Sequence, residues 1–288
     1  MSVNICSHYM AVCGIIETKE KEMDIKNDRI DHGKPFDWGR TSVDYARYRD
    51  IYPDVFYQKI VDRGLCVAGQ CCLDIGTGTG VLPRNMARFG AKWTGIDISL
   101  EQIEQAKRLS QGMNISYNAI PCEELSYPAG SFDVITACQC FWYFDHERIS
   151  PILHKMLKDD GRLVVLYMAW LPYEDEIAGK SERIVLKYNP VWTGAGETRH
   201  PIHVTKDVLD YFDLEEHEEY DLMVPFTRDS WHGRMRSCRG VGASLNSKDI
   251  ALWDEEHRQM LQRETPEEFE ILHYAAITVL KKKEKNND

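Results

Sequence analysis

The segment CLDIGTGTG, residues 72–80, decides the fold of this 288-residue chain. It begins as an apolar strand that ends at Asp74, and Gly76, Gly78 and Gly80 then lead into a helical pattern. Glycine allows a sharp turn and lets a ligand approach the backbone without meeting a Cβ atom. The segment therefore predicts a strand, a ligand-binding turn and a helix.

The chain around this segment alternates between strands and helices. Strands are predicted at 71–76, 92–97, 115–120, 132–139 and 162–168, and helices at 53–64, 81–89, 99–111 and 147–158. Further strands are predicted near 215–226 and 269–281. Such alternation gives parallel strands joined by right-handed crossovers, with the ligand site at the carboxyl ends of the strands.

Two stretches interrupt this regular spacing. Residues 169–203 and 227–265 are too long for simple connections, which run about 4–6 residues in compact domains. We expect them to form cap insertions, largely helical, over the site. Residues 1–33 are polar and without periodicity, so we expect a mobile leader followed by one domain over 34–288.

Composition limits the partners of the chain. Its 46 acidic and 35 basic residues give a net charge of −11, which argues against a nucleic-acid partner. The longest apolar run, Leu163 to Leu171, is far shorter than the roughly 20 residues of a membrane span, and the N-terminus lacks a signal-peptide pattern. We expect a cytoplasmic protein without a membrane partner.

No CxxC pair occurs among the nine cysteines, so no metal site is expected. The sequence does not determine the oligomeric state.

Asp97 closes the second predicted strand, 21 residues after Gly76. At this distance a carboxylate accepts hydrogen bonds from paired ribose hydroxyls, so the ligand is expected to be nucleotide-like. The glycine spacing is GxGxG rather than the GxGxxG of dinucleotide sites, and the acid at Asp74 suits a cationic ligand better than a phosphate. A turn without any ligand is the alternative.

With these motifs in place, the stretch from Tyr45 to Met168 resembles the class I S-adenosylmethionine-dependent methyltransferases. The nearest branch is that of small-molecule enzymes, which includes the trans-aconitate and ubiquinone-pathway methyltransferases. The resemblance implies an α/β fold: a Rossmann-like, doubly wound, seven-stranded sheet, mostly parallel with an antiparallel last strand. It also implies that S-adenosylmethionine is the cofactor.

The resemblance assigns roles to individual residues. The methionine part of the cofactor is expected at the first motif, which comprises Asp74, Gly76, Thr77, Gly78 and Gly80. Asp97 takes the ribose hydroxyls in this family, and Ile98 lies against the adenine. Tyr45, Arg47 and Tyr48, in a segment that closes over the cofactor, are expected to reach its carboxylate.

The chain departs from the family after the third strand. Pro121 stands where an acid usually holds the adenine amino group. The backbone at Cys122 or the side chain of Glu123 is the expected replacement, while a solvated helix start is the alternative for Glu123.

Aromatic residues follow the fourth strand in the segment ACQCFWYFDH, residues 137–146. By the family register Gln139, Trp142 and Tyr143 face the sulfonium and are the predicted catalytic residues. Aromatic walls exclude water and tolerate a cation.

A carboxylate acceptor needs no base, whereas a hydroxyl or amine needs a nearby proton acceptor. The candidates for that base are His146, His200, His203 and His232.

The second insertion concentrates arginines in an acidic protein. Its segment SWHGRMRSCRG, residues 230–240, contains Trp231, Arg234 and Arg236. Guanidinium groups bind carboxylates and phosphates through paired hydrogen bonds, so these three residues are the predicted substrate site for an anionic small molecule. Ion pairing with surface acids is the alternative.

The predicted function is methyl transfer from S-adenosylmethionine, by in-line displacement, to a small molecule that carries a carboxylate. One alternative is a nicotinamide (NAD)-dependent oxidoreductase, which the glycine spacing disfavours. The other is a module that binds S-adenosylmethionine without catalysis.

Overall fold

The computed structural model describes residues 30–284. Its strands are β1 (Cys71–Ile75), β2 (Lys92–Asp97), β3 (Ile115–Ala119), β4 (Phe132–Cys138), β5 (Leu157–Trp170), β6 (Phe212–Thr227) and β7 (Glu268–Lys282). Its α-helices are α1 (Ser42–Tyr48), α2 (Asp54–Val61), α3 (Val81–Met86), α4 (Leu100–Leu109), α5 (His146–Met156), α6 (Glu176–Tyr188), α7 (Lys206–Leu209), α8 (Arg228–Arg236) and α9 (Ser247–Glu264). Within this part of the chain, no helix is long and apolar enough to cross a membrane.

The seven strands form one sheet in the order β3-β2-β1-β4-β5-β7-β6. Strands β1 to β5 pair in parallel, and β7 runs antiparallel to both β5 and β6. The order of the sheet reverses between β1 and β4, and ligands bind at such a switch point in open α/β sheets. The predicted Rossmann-like, doubly wound sheet with an antiparallel last strand is confirmed.

Hydrophobic side chains cover both faces of the sheet. Alternate residues of β1 show this directly, because Cys72 packs in one apolar layer while Leu73 and Ile75 pack in the other. A parallel strand that is buried on both faces has a nearly continuous apolar sequence. For this reason the strand positions predicted from the sequence are close to those in the structure.

The two predicted insertions contain helices that pack together. Helix α6 lies in the first insertion, α8 and α9 lie in the second, and both α6 and α8 contact α9. Helix α8 also contacts α1, which precedes the sheet. The two insertions therefore pack against each other, and α8 of the second insertion packs against α1.

The expected leader ends earlier than predicted. Ile30 and Asp31 are buried, and the Asp31 carboxylate lies 2.8 Å from Nε of Arg239. It also accepts the backbone N–H of Thr193 at 2.7 Å. Residues 30–33 thus belong to the packed domain, which corrects the boundary at residue 34. Residues 1–29 of the expected leader lie outside the described residues.

Candidate functional site

A cavity of about 280 Å³ lies at the carboxyl ends of β1 to β4. Each strand contributes the residues that follow it: Gly76 after β1, Asp97 at the end of β2, Cys122 after β3 and Gln139 after β4. Because parallel strands end at one edge of the sheet, these residues from four separate segments meet there. We call this space the cofactor cavity.

The backbone fixes the Asp97 carboxylate at the wall of the cofactor cavity. One oxygen, Oδ2, accepts the N–H of Gly78 at 2.8 Å, and Oδ1 accepts the N–H of Ser99 at 2.9 Å. Burial raises the pKa of Asp97, while these N–H donors act to lower it. Each carboxylate oxygen can accept more than one hydrogen bond, so both keep capacity for a ligand hydroxyl.

Gly76 is required by both its conformation and its surroundings. Its φ of +63° lies in the left-handed region. A Cβ atom at this position would lie 2.8 Å from Sγ of Cys140, whose side chain is buried. The turn therefore places bare backbone at the cavity, as the alternating glycines predicted.

An aromatic and cationic wall closes the opposite side of the cofactor cavity. The Arg49 guanidinium lies 4.5 Å from the ring centroid of Tyr45, and its Nη2 donates to the Tyr45 hydroxyl at 3.2 Å. Trp38 packs edge-on against both Tyr45 and Tyr143. This wall can attract a carboxylate at Arg49 and tolerate a cation against its rings.

Two glutamines complete the polar lining. The amide of Gln102 on α4 donates to the Trp38 carbonyl at 3.0 Å, while its buried Oε1 has no hydrogen-bond partner among the described residues. Gln139 has a φ of +65°, a strained conformation for a residue with a side chain, and its amide donates to the Met168 carbonyl. An unpaired buried acceptor is unfavourable without a ligand, so Gln102 favours a ligand that donates.

The structure brings most of the predicted cofactor and catalytic residues to this cavity. Those that line it are Tyr45, Gly76, Gly78, Asp97, Ile98, Cys122, Glu123, Gln139, Trp142 and Tyr143. Their individual roles stay predictions. Glu123 is partly engaged, because its Oε1 accepts the backbone N–H of Asp145 at 3.3 Å.

Two residues of the first motif lie behind the cavity instead of lining it. Asp74 is buried between strands, and its Oδ1 accepts the hydroxyl of Thr136 on β4 at 2.6 Å. Burial raises the pKa of the Asp74 carboxyl to about 7. Thr77 is buried as well, with its N–H donated to the Ile96 carbonyl. Neither residue lines the cavity, and both side chains hydrogen-bond or pack within the sheet, so the part that Asp74 and Thr77 play in binding the cofactor stays a prediction.

Gly80 and Tyr48 also lie outside the cavity lining. A Cβ atom on Gly80 would lie 2.3 Å from the Tyr117 hydroxyl, so this glycine serves close packing under the helix α3. The Tyr48 ring packs against Gly233, and its hydroxyl donates to Asp229. Tyr48 thus joins α1 to α8 and does not line the cofactor cavity, which corrects the expectation for this residue, while a role of Gly80 in the glycine motif stays a prediction.

A second, larger space of about 1070 Å³ lies beside the cofactor cavity. We call it the acceptor chamber. The residues that line both spaces are Trp38, Arg49, Trp142, Tyr143 and Phe144. Aromatic residues that line only the chamber include Tyr167, Trp170 and Trp192. The two spaces therefore share one wall, and most of that wall is aromatic.

The predicted substrate residues separate in the structure. Arg234 lines the acceptor chamber. Arg236 instead forms ion pairs with Asp44 on α1 and Asp254 on α9, and it does not line the chamber. Trp231 is fully buried against Trp170, and its indole N–H donates to Ser181 at 3.0 Å. The expectation is therefore wrong for Trp231 and Arg236, because only one face of α8 reaches the chamber.

The candidate bases differ in their surroundings. His146, His200 and His203 line the chamber, whereas His232 is buried between His257 and Asp254. Both ring nitrogens of His146 and of His200 lie within hydrogen-bond distance of protein acceptors or hydroxyls. His203 makes no hydrogen bond within residues 30–284, so it keeps a ring nitrogen for a ligand.

Sequence reasoning missed Trp38, Arg49 and Gln102, which line the cofactor cavity. The expectation from the sequence falls on Arg47 in the segment that contains Tyr45, whereas the structure places Arg49 of the same segment in the cavity lining. Arg47, the neighbour on the helix, is exposed and lies 3.5 Å from Asp229. The position of an arginine relative to the end of α1 decides which one faces the site.

Comparison with known proteins identifies the central part of the chain. Residues 73–165 match the family described as "Methyltransferase domain". The chain is 44% identical over 130 residues to the ubiquinone biosynthesis O-methyltransferase of Nitrosococcus oceani, covering 44% of this chain and 54% of that protein. It is 39% identical over 120 residues to the protein of the same name from Psychrobacter arcticus, covering 40% and 46%. The chain thus spans about half the length of the curated relatives it matches.

A solved structure shares the fold over a longer stretch. A candidate type II methyltransferase from Anaeromyxobacter dehalogenans superposes with a TM-score of 0.53 and 19% identity, covering 80% of this chain and 96% of that one. This likeness shows the fold alone. The match to the methyltransferase family and the methyltransferase relatives support the resemblance to class I methyltransferases and indicate S-adenosylmethionine as the cofactor.

The lining of the cofactor cavity suits S-adenosylmethionine. Asp97 has capacity for the ribose hydroxyls, Arg49 for the methionyl carboxylate, and the unpaired Gln102 Oε1 for a donor group. The aromatic wall suits the sulfonium. When bound, the cofactor supplies an electrophilic methyl group.

Proposed function

We propose that this class I S-adenosylmethionine-dependent methyltransferase transfers a methyl group to an oxygen atom of a small, carboxylate-bearing metabolite. The observation that carries the proposal is the wall shared by the cofactor cavity and the acceptor chamber. A methyl donor in the first space and an acceptor in the second would face each other across Trp38, Arg49 and Tyr143.

In-line methyl transfer needs alignment more than it needs acid–base groups. The donor sulfur is positive, and its charge disperses as the methyl group leaves, so the protein mainly holds two reactants in line and excludes water. The chain's contribution is the Asp97 anchor on one side and the aromatic wall on the other. The described part of the chain leaves His203 as the candidate to accept a hydroxyl proton.

Oxygen as the acceptor atom is supported by the relatives. Those with 39% and 44% identity are named as ubiquinone biosynthesis O-methyltransferases. An acidic acceptor is supported by Arg234 rather than by the overall charge of the chamber, which Asp145, Glu147 and Asp207 also line. Arg234 forms no ion pair with a carboxylate of the described residues, whereas Arg236 on the same helix has two.

The test is a methylation assay with S-adenosylmethionine labelled in the methyl group. The panel contains aromatic and aliphatic hydroxy acids, each beside its neutral amide. We expect label in the small-molecule extract together with S-adenosylhomocysteine, with the acids preferred over their amides. If S-adenosylhomocysteine binds but no member of the panel is labelled, a binding module without catalysis becomes the better description.

A further inference from the structure

Arg234 is the most unusual charged residue outside the cofactor cavity. Only 5% of its surface is exposed, although a guanidinium is strongly solvated in water. Its guanidinium lies 4.8 Å from the ring centroid of Trp170, and Nη1 donates to Sγ of Cys238 at 3.2 Å. Its Nε has no hydrogen-bond partner among the described residues, and no carboxylate of residues 30–284 pairs with it.

A buried charge without a counter-ion is unfavourable, and a second positive charge makes it worse. Burial, with the nearby Arg49, lowers the pKa of Arg234 to about 10, so the guanidinium stays charged at neutral pH. The contrast with Arg236 on the same helix is direct, because Arg236 has two acid partners. An anionic ligand would supply the partner that the protein withholds from Arg234.

The position of Arg234 says which part of a ligand it would hold. It lines the acceptor chamber but not the cofactor cavity, whereas Arg49 lines both. An anion at Arg234 is therefore placed in the chamber and not in the cofactor cavity. Trp170 and Trp192 line the same chamber, so a ligand whose anionic group reaches Arg234 also meets aromatic side chains there.

We propose that Arg234, supported by Trp170 and Cys238, is the subsite for the carboxylate of an aromatic acid acceptor, and that this carboxylate is a handle which is not itself methylated. The inference rests on the proposed function and adds the place of the acid group. Hydrogen bonds to the guanidinium occupy lone pairs of the carboxylate and make it a poorer nucleophile.

The methyl group then goes to a different oxygen, closer to the shared wall. The bond between sulfur and methyl carbon breaks, with its electron pair left on sulfur, and a bond between carbon and a hydroxyl oxygen forms. The hydroxyl proton passes to His203 and from there to water, and the products are S-adenosylhomocysteine and a methyl ether that still carries its carboxylate.

Calorimetry with a simple probe tests this subsite. Benzoate and benzamide have the same shape and differ in charge, and each is titrated into protein saturated with S-adenosylhomocysteine. We expect benzoate to bind at least about tenfold more tightly than benzamide, as the loss of a hydrogen-bonded charge implies. Arg234→Gln should abolish this preference, and Arg234→Lys should keep part of it.

Arg236→Gln is the matched control, because it makes the same change on the same helix outside the chamber. It should retain the preference for benzoate. The affinity for S-adenosylhomocysteine is measured in every variant to show that the domain is folded. If Arg234→Gln does not bind S-adenosylhomocysteine, the benzoate preference is compared between Arg234→Lys and the original protein instead.

The inference is overturned by equal binding of benzoate and benzamide to the original protein, or by loss of the preference in Arg236→Gln as well. It is also overturned if methyl benzoate forms with S-adenosylmethionine. A protein that fails to bind S-adenosylhomocysteine at all would instead contradict the proposed function.

Discussion

The cofactor cavity and the acceptor chamber lie side by side but are built differently. The cavity is lined mainly by residues between Gly76 and Phe144, most of them at or just after the carboxyl ends of parallel strands. The chamber adds residues from Ile30 to Arg239, drawn from the start of the domain and from both insertions. The cavity thus draws mainly on the methyltransferase motifs at the strand ends, while the chamber depends also on the two insertions.

The two spaces also differ in electrostatics. In the cavity, backbone N–H groups hold the Asp97 carboxylate in place. In the chamber, Arg234 has no acid partner in the described part of the chain. The charged group of the cavity is thus already held by protein donors, while the buried charge of Arg234 lacks a counter-ion in the described part of the chain.

The largest expected effect concerns Asp97. Asp97→Ala removes the acceptors for two ribose hydroxyls, and charge-assisted hydrogen bonds contribute about 1.5–3 kcal/mol each. We expect S-adenosylhomocysteine binding to weaken by about 3–6 kcal/mol, with a smaller loss in Asp97→Asn. Calorimetry measures both. Asp210→Ala removes an exposed carboxylate paired only with Lys206 and should bind normally. Unchanged affinity in Asp97→Ala would mean that the ligand lies elsewhere.

Asp74 should act on stability, since it lies behind the cavity. Its folded pKa of about 7 is above the ordinary 3.8, so the folded state favours the protonated form. The protonated Asp74 therefore stabilises the folded state fully below about pH 4, and this stabilisation is lost as the pH rises to about 7. The free energy of unfolding changes by about 4 kcal/mol over this range. Asp74→Asn should become more stable relative to the original protein over this range. Denaturant unfolding at several pH values measures this, and a difference independent of pH would contradict it.

Gly76→Ala separates conformational strain from crowding at the turn. A side chain at φ +63° costs about 1–2 kcal/mol, and contact with the Cys140 sulfur adds to this. Gly130 has a similar φ of +67° with nothing within 4 Å of its Cβ position, so Gly130→Ala should show the strain alone. We expect Gly76→Ala to lower the free energy of unfolding by about 1–2 kcal/mol more than Gly130→Ala. Equal losses would mean that the turn is not crowded.

Arg236→Gln should have the smallest effect. Its side chain is 35% exposed, and solvent weakens its ion pairs with Asp44 and Asp254. We expect thermal or denaturant unfolding to show a loss of about 1 kcal/mol or less, with S-adenosylhomocysteine binding retained. A large loss of S-adenosylhomocysteine affinity would mean that Arg236 contributes to ligand binding, and the inferred difference between Arg234 and Arg236 would be wrong.

The two regions were not equally predictable from sequence. The strands, Gly76 and Asp97 follow from local patterns, since a buried parallel strand and its following turn are short contiguous segments. The choice between Arg234 and Arg236 does not, because it depends on which face of α8 meets the chamber. The role of Gln102 could not be predicted either. Its place among the polar residues of α4 suggests solvent exposure and does not indicate that its amide donates to the Trp38 carbonyl.

A crystal structure with S-adenosylhomocysteine bound tests the placement of the cofactor most directly. Both ribose hydroxyls should lie within about 3 Å of the Asp97 carboxylate oxygens. The sulfur should face the acceptor chamber across Trp38 and Tyr143. A nucleoside bound inside the larger chamber, or a sulfur turned away from it, would contradict the assignment of the two spaces.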